Sequence, residues 1–339
     1  MDKVKFGIAG CGGIGSIHAE AIKNVSIAEL EAVYDPVLEL AERLGRKYEV
    51  KYYTDYEEML SNPHIDAVNI CTPSGLHADL GIKASQYGKH VLVEKPIDIK
   101  LEKADALIES CKRYNVKLGV VSQHRFDPGV RVLKKVIAEG KLGKLIIVDA
   151  YIKWFRPQSY YDSSKWRGTW ALDGGGTLIN QAIHCVDLLL YLAGSVEKVD
   201  AYCATLAHNI EVEDTAIVLV KYTSGAMGII QSSTACYPGF TERLEFYGTN
   251  GSVILESSNI KEIHLKGEIE ALENIIQVGE TSGASEPLSI GINGHIRQIQ
   301  DMAEAILFNR APSITGEDGE NALKFVLSVY KLSGIYRES

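Results

Sequence analysis

Gly10-Cys11-Gly12-Gly13-Ile14-Gly15, followed by Asp35 twenty positions after the last glycine, has the residue types and spacing that hold a pyrophosphate and a ribose. Gly10 permits a tight turn out of the apolar run Val4, Phe6, Ile8. Gly12 has no Cβ, so the backbone can approach a phosphate, and Gly15 lets the next helix lie close to a sheet. The N–H groups of Gly13 and Ile14, at that helix start, face the anion. A carboxylate at Asp35 accepts hydrogen bonds from ribose hydroxyls and repels a 2′-phosphate. It therefore favours NAD over NADP, with Arg43 and Lys47 further along acting in the opposite sense. The bland alternatives are a turn without a ligand and, for Asp35, a helix N-cap ahead of Pro36 at N1.

Three more segments carry reactive side chains. Thr72-Pro73-Ser74-Gly75-Leu76-His77 and Glu94-Lys95-Pro96 each follow an apolar strand-like run, and the carboxyl ends of such strands are where ligands bind. Thr72, Pro73, Ser74, His77, Glu94, Lys95 and Gln123 are thus expected along the cofactor. An ammonium at Lys95 beside a substrate hydroxyl lowers the cost of a developing alkoxide, although most lysines are simply solvated. Pro96 stiffens the turn, and its peptide bond can be cis. In the third segment, Gly174–Asp187, three glycines open a helix with Asn180, His184 and Asp187 on one face. His184 has the pKa range of a general base for an alcohol. A satisfied core histidine is the competing reading. A metal would need more ligands than His184 and Asp187, so none is expected.

Arg156, Tyr160, Trp166 and Arg167 lie in a stretch of aromatics, arginines and hydroxyls. Such a set suits a sugar with a carboxylate or phosphate, or equally a loop pinned down by its own rings. The substrate contacts expected are these four with Lys95, Asn180 and His184.

These segments need a frame. The chain has 339 residues, 46% hydrophobic and 23% charged, enough for two globular domains. A net charge of −9 argues against a general nucleic-acid binder. No run reaches membrane-spanning length, and six scattered cysteines without a CxxC pair fit a reduced, cytoplasmic protein. Residues 1–122 alternate strand-like and helical runs, which predicts a doubly wound parallel sheet. Residues 123–339 predict an α+β domain with an antiparallel meander, a helix over Gly176–Leu192, and closing helices near Gly294–Phe308 and Glu317–Tyr336, the last free to pack back on the first domain. The fold class is α/β: a Rossmann domain followed by a large, mostly antiparallel open sheet. The uncovered face of that sheet predicts a homodimer or homotetramer.

The glycine fingerprint, Thr72-Pro73-Ser74 with His77, Glu94-Lys95-Pro96 and the Gly174–Asp187 helix together resemble the Gfo/Idh/MocA oxidoreductases. The resemblance implies an NAD-dependent dehydrogenase acting on a secondary hydroxyl of a sugar, sugar derivative or cyclitol. Lys95 would polarise the alcohol and His184 would act as base. The residue four before that histidine is often Asp in the family, whereas here it is Asn180. An amide cannot stabilise an imidazolium as a carboxylate does, so Lys95 would share the base role or Asp187 would orient the histidine. Asn180-Gln181-Ala182-Ile183-His184, with Tyr160-Tyr161 and Trp166–Trp170, looks more like the branch that oxidises C3 of UDP-N-acetylglucosaminuronic acid. The alternatives are myo-inositol oxidation, a redox-neutral use of bound NAD, and a non-catalytic NAD or sugar sensor.

Overall fold

The computed structural model describes residues 3–267 and 291–335. The chain forms two compact units, Met1–Gln123 with Ile292–Leu323, and His124–Gly291 with Lys324–Ser339. The division is therefore not a single cut at residue 122.

The first unit holds six strands, β1 (Val4–Ala9), β2 (Ala28–Tyr34), β3 (Lys51–Tyr53), β4 (Ala67–Ile70), β5 (His90–Val93) and β6 (Leu118–Val120), in the order β3-β2-β1-β4-β5-β6. All neighbours pair in parallel. Helices α1 (Gly13–Lys23), α2 (Leu38–Tyr48), α3 (Tyr56–Leu60), α4 (His77–Gln86) and α5 (Leu101–Arg113) alternate with them. Strands covered on both faces are mostly apolar, as in β4, which is fully buried and carries one polar residue, Asn69. α2 starts at Leu38 with Val37 as its N-cap. Pro36 is therefore not its first residue, and Asp35 does not cap it.

The second unit contains β7 (Leu145–Lys153), β8 (Val196–Ala204), β9 (Thr215–Tyr222), β10 (Met227–Ser233), β11 (Arg243–Gly248), β12 (Gly251–Glu256) and β13 (Asn259–Leu265). Their order is β13-β12-β11-β7-β10-β9-β8. This corrects the simple meander: β8–β9–β10 and β11–β12–β13 are antiparallel runs, and β7 lies between them, parallel to β10. Alternation marks a strand but not its partner, so the insertion of β7 had no local signal. α6 (Pro128–Ala138), α7 (Gln158–Asp162) and α8 (Ile183–Ala193) complete this unit's own helices.

The helix expected over Gly176–Leu192 is not continuous. Thr177–Gln181 forms a π turn, with the Ala182 N–H donating to Thr177 O at 2.8 Å, and α8 begins at Ile183. The common face inferred for Asn180, His184 and Asp187 assumed 3.6 residues per turn throughout, which fails at this junction. Further on, α9 (Asn293–Leu307) sets Ile299, Met302 and Ala303 into the core built around Phe6, Ile8 and Ile22. α10 (Gly316–Ser333) begins in the first unit and ends in the second. Its expected terminus, Tyr336, lies outside the described residues.

Candidate functional site

The glycine loop divides its labour. A Cβ on Gly10 (φ +102°) would stand 2.5 Å from the Cys71 carbonyl oxygen, and one on Gly15 would stand 1.9 Å from the Gly10 oxygen. Both positions are closed to any side chain. A Cβ on Gly12 meets nothing within 4 Å. The open space thus lies over Gly12, at the start of α1, whose first turn carries no acidic residue to oppose an anion. Ile14 packs against the core below. Nearby, Thr72 Oγ1 is buried with no hydrogen-bond partner in the protein. An open cradle at a helix N-terminus and a waiting hydroxyl fit a dinucleotide diphosphate.

Asp35 ends β2 and is buried. Its Oδ2 accepts the Cys11 N–H at 2.9 Å and its Oδ1 the Val37 N–H at 2.9 Å. The carboxylate ties the strand end to the glycine loop. Each oxygen retains acceptor capacity for a ribose hydroxyl. Arg43 donates to the Cys11 carbonyl at 3.3 Å, which puts a guanidinium beside the same loop.

At the other strand ends, Thr72 and Pro73 lead into a 3-10 turn over Ser74–Leu76, and Ser74 is buried. His77 is also buried, with Nδ1 2.7 Å from Pro96 O and Nε2 2.9 Å from Thr72 O. It joins the two turns rather than presenting a ring nitrogen to a ligand. Burial pushes its pKa down, against both carbonyls. The Lys95–Pro96 peptide is cis. Behind it, Glu94 Oε1 meets His18 Nε2 at 2.9 Å, and Glu94 Oε2 accepts the Lys95 N–H at 3.1 Å. The other ring nitrogen of His18, Nδ1, lies 2.9 Å from Asn69 Nδ2. Burial alone would raise the Glu94 carboxyl, but the His18 bond, with the charges of His18, His295 and Lys95, takes it down to about 2. His18, Glu94 and His295 bring three metal-type donor atoms within 4.8 Å of one another. The direct His18–Glu94 bond satisfies two of them without an ion. Gln123, buried after β6, packs its side chain on Gly294.

In the second unit the glycine-rich entry to the π turn is filled from two sides. A Cβ on Gly176 would sit 1.7 Å from Glu213 O, and one on Gly175 (φ +152°) 2.3 Å from the Tyr330 hydroxyl. The buried Glu213 carboxylate accepts from Gly176 N at 2.8 Å, Leu178 N at 2.9 Å and Tyr330 Oη at 2.7 Å. Burial pushes it up to about 7 despite those donors. Asn180 Nδ2 donates to Asp173 Oδ1 at 2.6 Å. Asp187 forms a two-pronged pair with Arg125, whose Nε lies 2.8 Å from Oδ2. Both oxygens of its carboxylate thus hold the Arg125 guanidinium.

His184 stands edge-on to His124, ring centres 5.2 Å apart. His124 Nδ1 pairs with Asp127 Oδ2 at 2.7 Å. Burial works against the charged form of His124, but Asp127, with Glu242 and Asp187, raises its pKa. This His–Asp pair was missed in the sequence. Its i, i+3 spacing was the available signal.

Tyr160 lies between two guanidinium groups, Arg167 Cζ at 4.5 Å and Arg156 Cζ at 5.6 Å from its ring centre. Arg156 is buried and donates to Phe155 O, while Arg167 also reaches Ser163 Oγ at 2.8 Å and the Trp166 ring at 5.4 Å. Arg167 Nε is buried without a partner.

The glycine loop, Asp35 and the parallel sheet define a dinucleotide-binding oxidoreductase unit. Residues 4–122 match the oxidoreductase family with an NAD-binding Rossmann fold and residues 130–254 the GFO/IDH/MocA C-terminal domain, and the chain belongs to this family. It is 28% identical to the myo-inositol 2-dehydrogenase of Thermotoga maritima, across 94% of this chain and 93% of that protein. It is 31% identical to the NAD-dependent scyllo-inositol 2-dehydrogenase of Bacillus subtilis, across 75% and 74%. The crystal structure of the WlbA dehydrogenase from Bordetella pertussis, in complex with NADH and UDP-GlcNAcA, superposes with a TM-score of 0.90 at 31% identity, covering 98% of this chain and 96% of that one. The first unit is accordingly an NAD-binding domain. Among the described residues no helix is long and apolar enough to cross a membrane.

Proposed function

We propose that this protein oxidises the C3 alcohol of UDP-N-acetylglucosaminuronic acid with NAD. The observation that carries the reading is the 31% identity, over nearly the whole chain, to a dehydrogenase crystallised with that nucleotide sugar. The paired guanidiniums on Tyr160 suit a ligand bearing a carboxylate and a diphosphate.

Bound NAD supplies the hydride acceptor. Lys95 donates a hydrogen bond to the reacting hydroxyl and stabilises negative charge on its oxygen as the C–H bond breaks. His184 takes the hydroxyl proton, so one hydride and one proton leave the alcohol as it becomes a ketone. Glu94 keeps the Lys95 backbone in place through its 3.1 Å bond. The cyclitol relatives favour a second reading, oxidation of an inositol ring alcohol.

NADH absorbance with purified protein, NAD and a panel of UDP-N-acetylglucosaminuronic acid (with and without 2-oxoglutarate), myo-inositol, scyllo-inositol and glucose tests the proposal. Turnover confined to the nucleotide sugar supports it. Turnover with a cyclitol alone overturns it in favour of the second reading, and silence throughout favours a sensor. Lys95→Ala should retain NADH binding and lose turnover by about two to four orders of magnitude.

The same proposal includes self-association through the second unit's open sheet face. Tyr202, Ile217, Leu219 and Met227 are exposed there, while Ala216, Val218 and Val220 face inward. Six free cysteines suit a reducing, cytoplasmic setting. Light scattering of the parent against Leu219→Lys checks the interface: a single mass for both, equal to the monomer, rejects it.

A further inference from the structure

We infer that Asp173 is a positioning residue that sets the polarity of Asn180, so that position 180 presents a hydrogen-bond acceptor to the substrate. This rests on the functional reading above. Asp173 is 2% exposed. Its Oδ2 accepts the Gly168 N–H at 2.8 Å and its Oδ1 accepts Asn180 Nδ2 at 2.6 Å. An ionised carboxylate only accepts, so the amide must turn its NH2 toward Asp173 and its Oδ1 away. The backbone around Asp173 is tied down as well, since the N–H groups of Asp173 and Gly174 both donate to Thr169 O. The carboxylate expected at position 180 is thus present one hydrogen bond away. Asn180 offers the acceptor oxygen that an aspartate there would offer, without a second buried charge.

The two side chains are interchangeable on this view, and that makes a charge-swap test. Asn180→Asp alone sets two carboxylates a hydrogen bond apart. Asp173→Asn alone leaves an amide whose oxygen must serve Gly168 N–H, so its NH2 confronts the NH2 of Asn180 and the match of donor to acceptor is lost. The double variant restores donor to acceptor at the same place, keeps the Gly168 bond, and again presents an oxygen from position 180.

Steady-state kinetics with NAD and UDP-N-acetylglucosaminuronic acid, on parent, both single variants and the double, read the effect. Each single change should lower kcat/KM roughly tenfold or more while the Kd for NADH stays put, and the double variant should recover to within about threefold of the parent. Melting temperatures of the same four proteins form an arm independent of substrate, with the same pattern of loss and recovery. A double variant no better than its components in kcat/KM overturns the inference, and it does so even if melting recovers, since the pair is then only structural. If the parent is silent on every substrate, the functional reading has failed instead. The melting cycle then decides alone whether the Asp173–Asn180 polarity holds.

Discussion

Glu94 Oε1 and His18 Nε2 stand 2.9 Å apart, both side chains buried beneath the turn that carries Lys95. The carboxyl lies at about 2, below its usual 4.5: burial opposes this, but His18, His295 and Lys95 outweigh it. A depressed carboxyl stabilises the fold above its unfolded pKa and loses that contribution as pH falls toward the folded value. Urea unfolding followed between pH 5 and 2 should show about 3 kcal/mol of stability disappearing through this group. Glu94→Gln should lack that acid limb, and an unchanged limb would remove Glu94 from the explanation.

Glu213 gives the opposite slope. Burial raises its carboxyl from 4.5 to about 7, against Leu178 N–H, the Tyr330 hydroxyl and Gly176 N–H. Its contribution is complete below about pH 4.5 and is lost as pH climbs to about 7, on the order of 3 kcal/mol. Tyr330 and Cys203 are the titratable groups facing it, both pushed upward in turn by burial and by Glu213. Unfolding free energies of Glu213→Gln between pH 5 and 8 should be flatter than those of the parent. Parallel curves would mean that another group carries the slope.

The glycines of the loop should separate folding from cofactor binding. Gly15→Ala places a Cβ 1.9 Å from a backbone oxygen, whereas at Gly12 the space is open. Gly12→Ala should keep its unfolding free energy within about 0.5 kcal/mol of the parent, yet bind NADH at least tenfold more weakly by fluorescence titration. Gly15→Ala should lose several kcal/mol, on the order expected for a clash with fixed backbone.

Cofactor choice should turn on Asp35 with Arg43 behind it. Asp35→Ser keeps a short acceptor for Cys11 N–H and removes the negative charge. The ratio of kcat/KM for NAD over NADP should fall by roughly tenfold or more. Adding Arg43→Ala should cost most of the gain with NADP, because Arg43 already reaches the Cys11 carbonyl. Equal ratios in parent and Asp35→Ser would show that selection lies elsewhere.

The first unit was largely legible because its signals are local. Continuous apolar strands, glycines at a strand-to-helix turn and Asp35 at a strand end each read out within a few residues. What escaped is nonlocal. The glycines that lead into the π turn at Thr177–Gln181 are walled in by Glu213 and Tyr330, from segments far along the chain. Nothing in the spacing tied Asp173 to Asn180, and Asp187 was read as a partner for His184 with no sign of its pairing with Arg125. His77 seemed a cofactor ligand by its place after a strand, but the Pro96 carbonyl occupies one of its nitrogens.

Tyr330 lies in the last turns of α10, yet its hydroxyl donates to Glu213 and receives the Ile179 N–H at 3.3 Å. The turn holding Asn180 is therefore finished by a residue made some 150 positions after it. A ribosome that has emitted every other residue of this turn has not yet emitted its keystone. Competence at this site waits for Tyr330 to be made, and a chain broken off short of it has a glycine turn that lacks one of its walls.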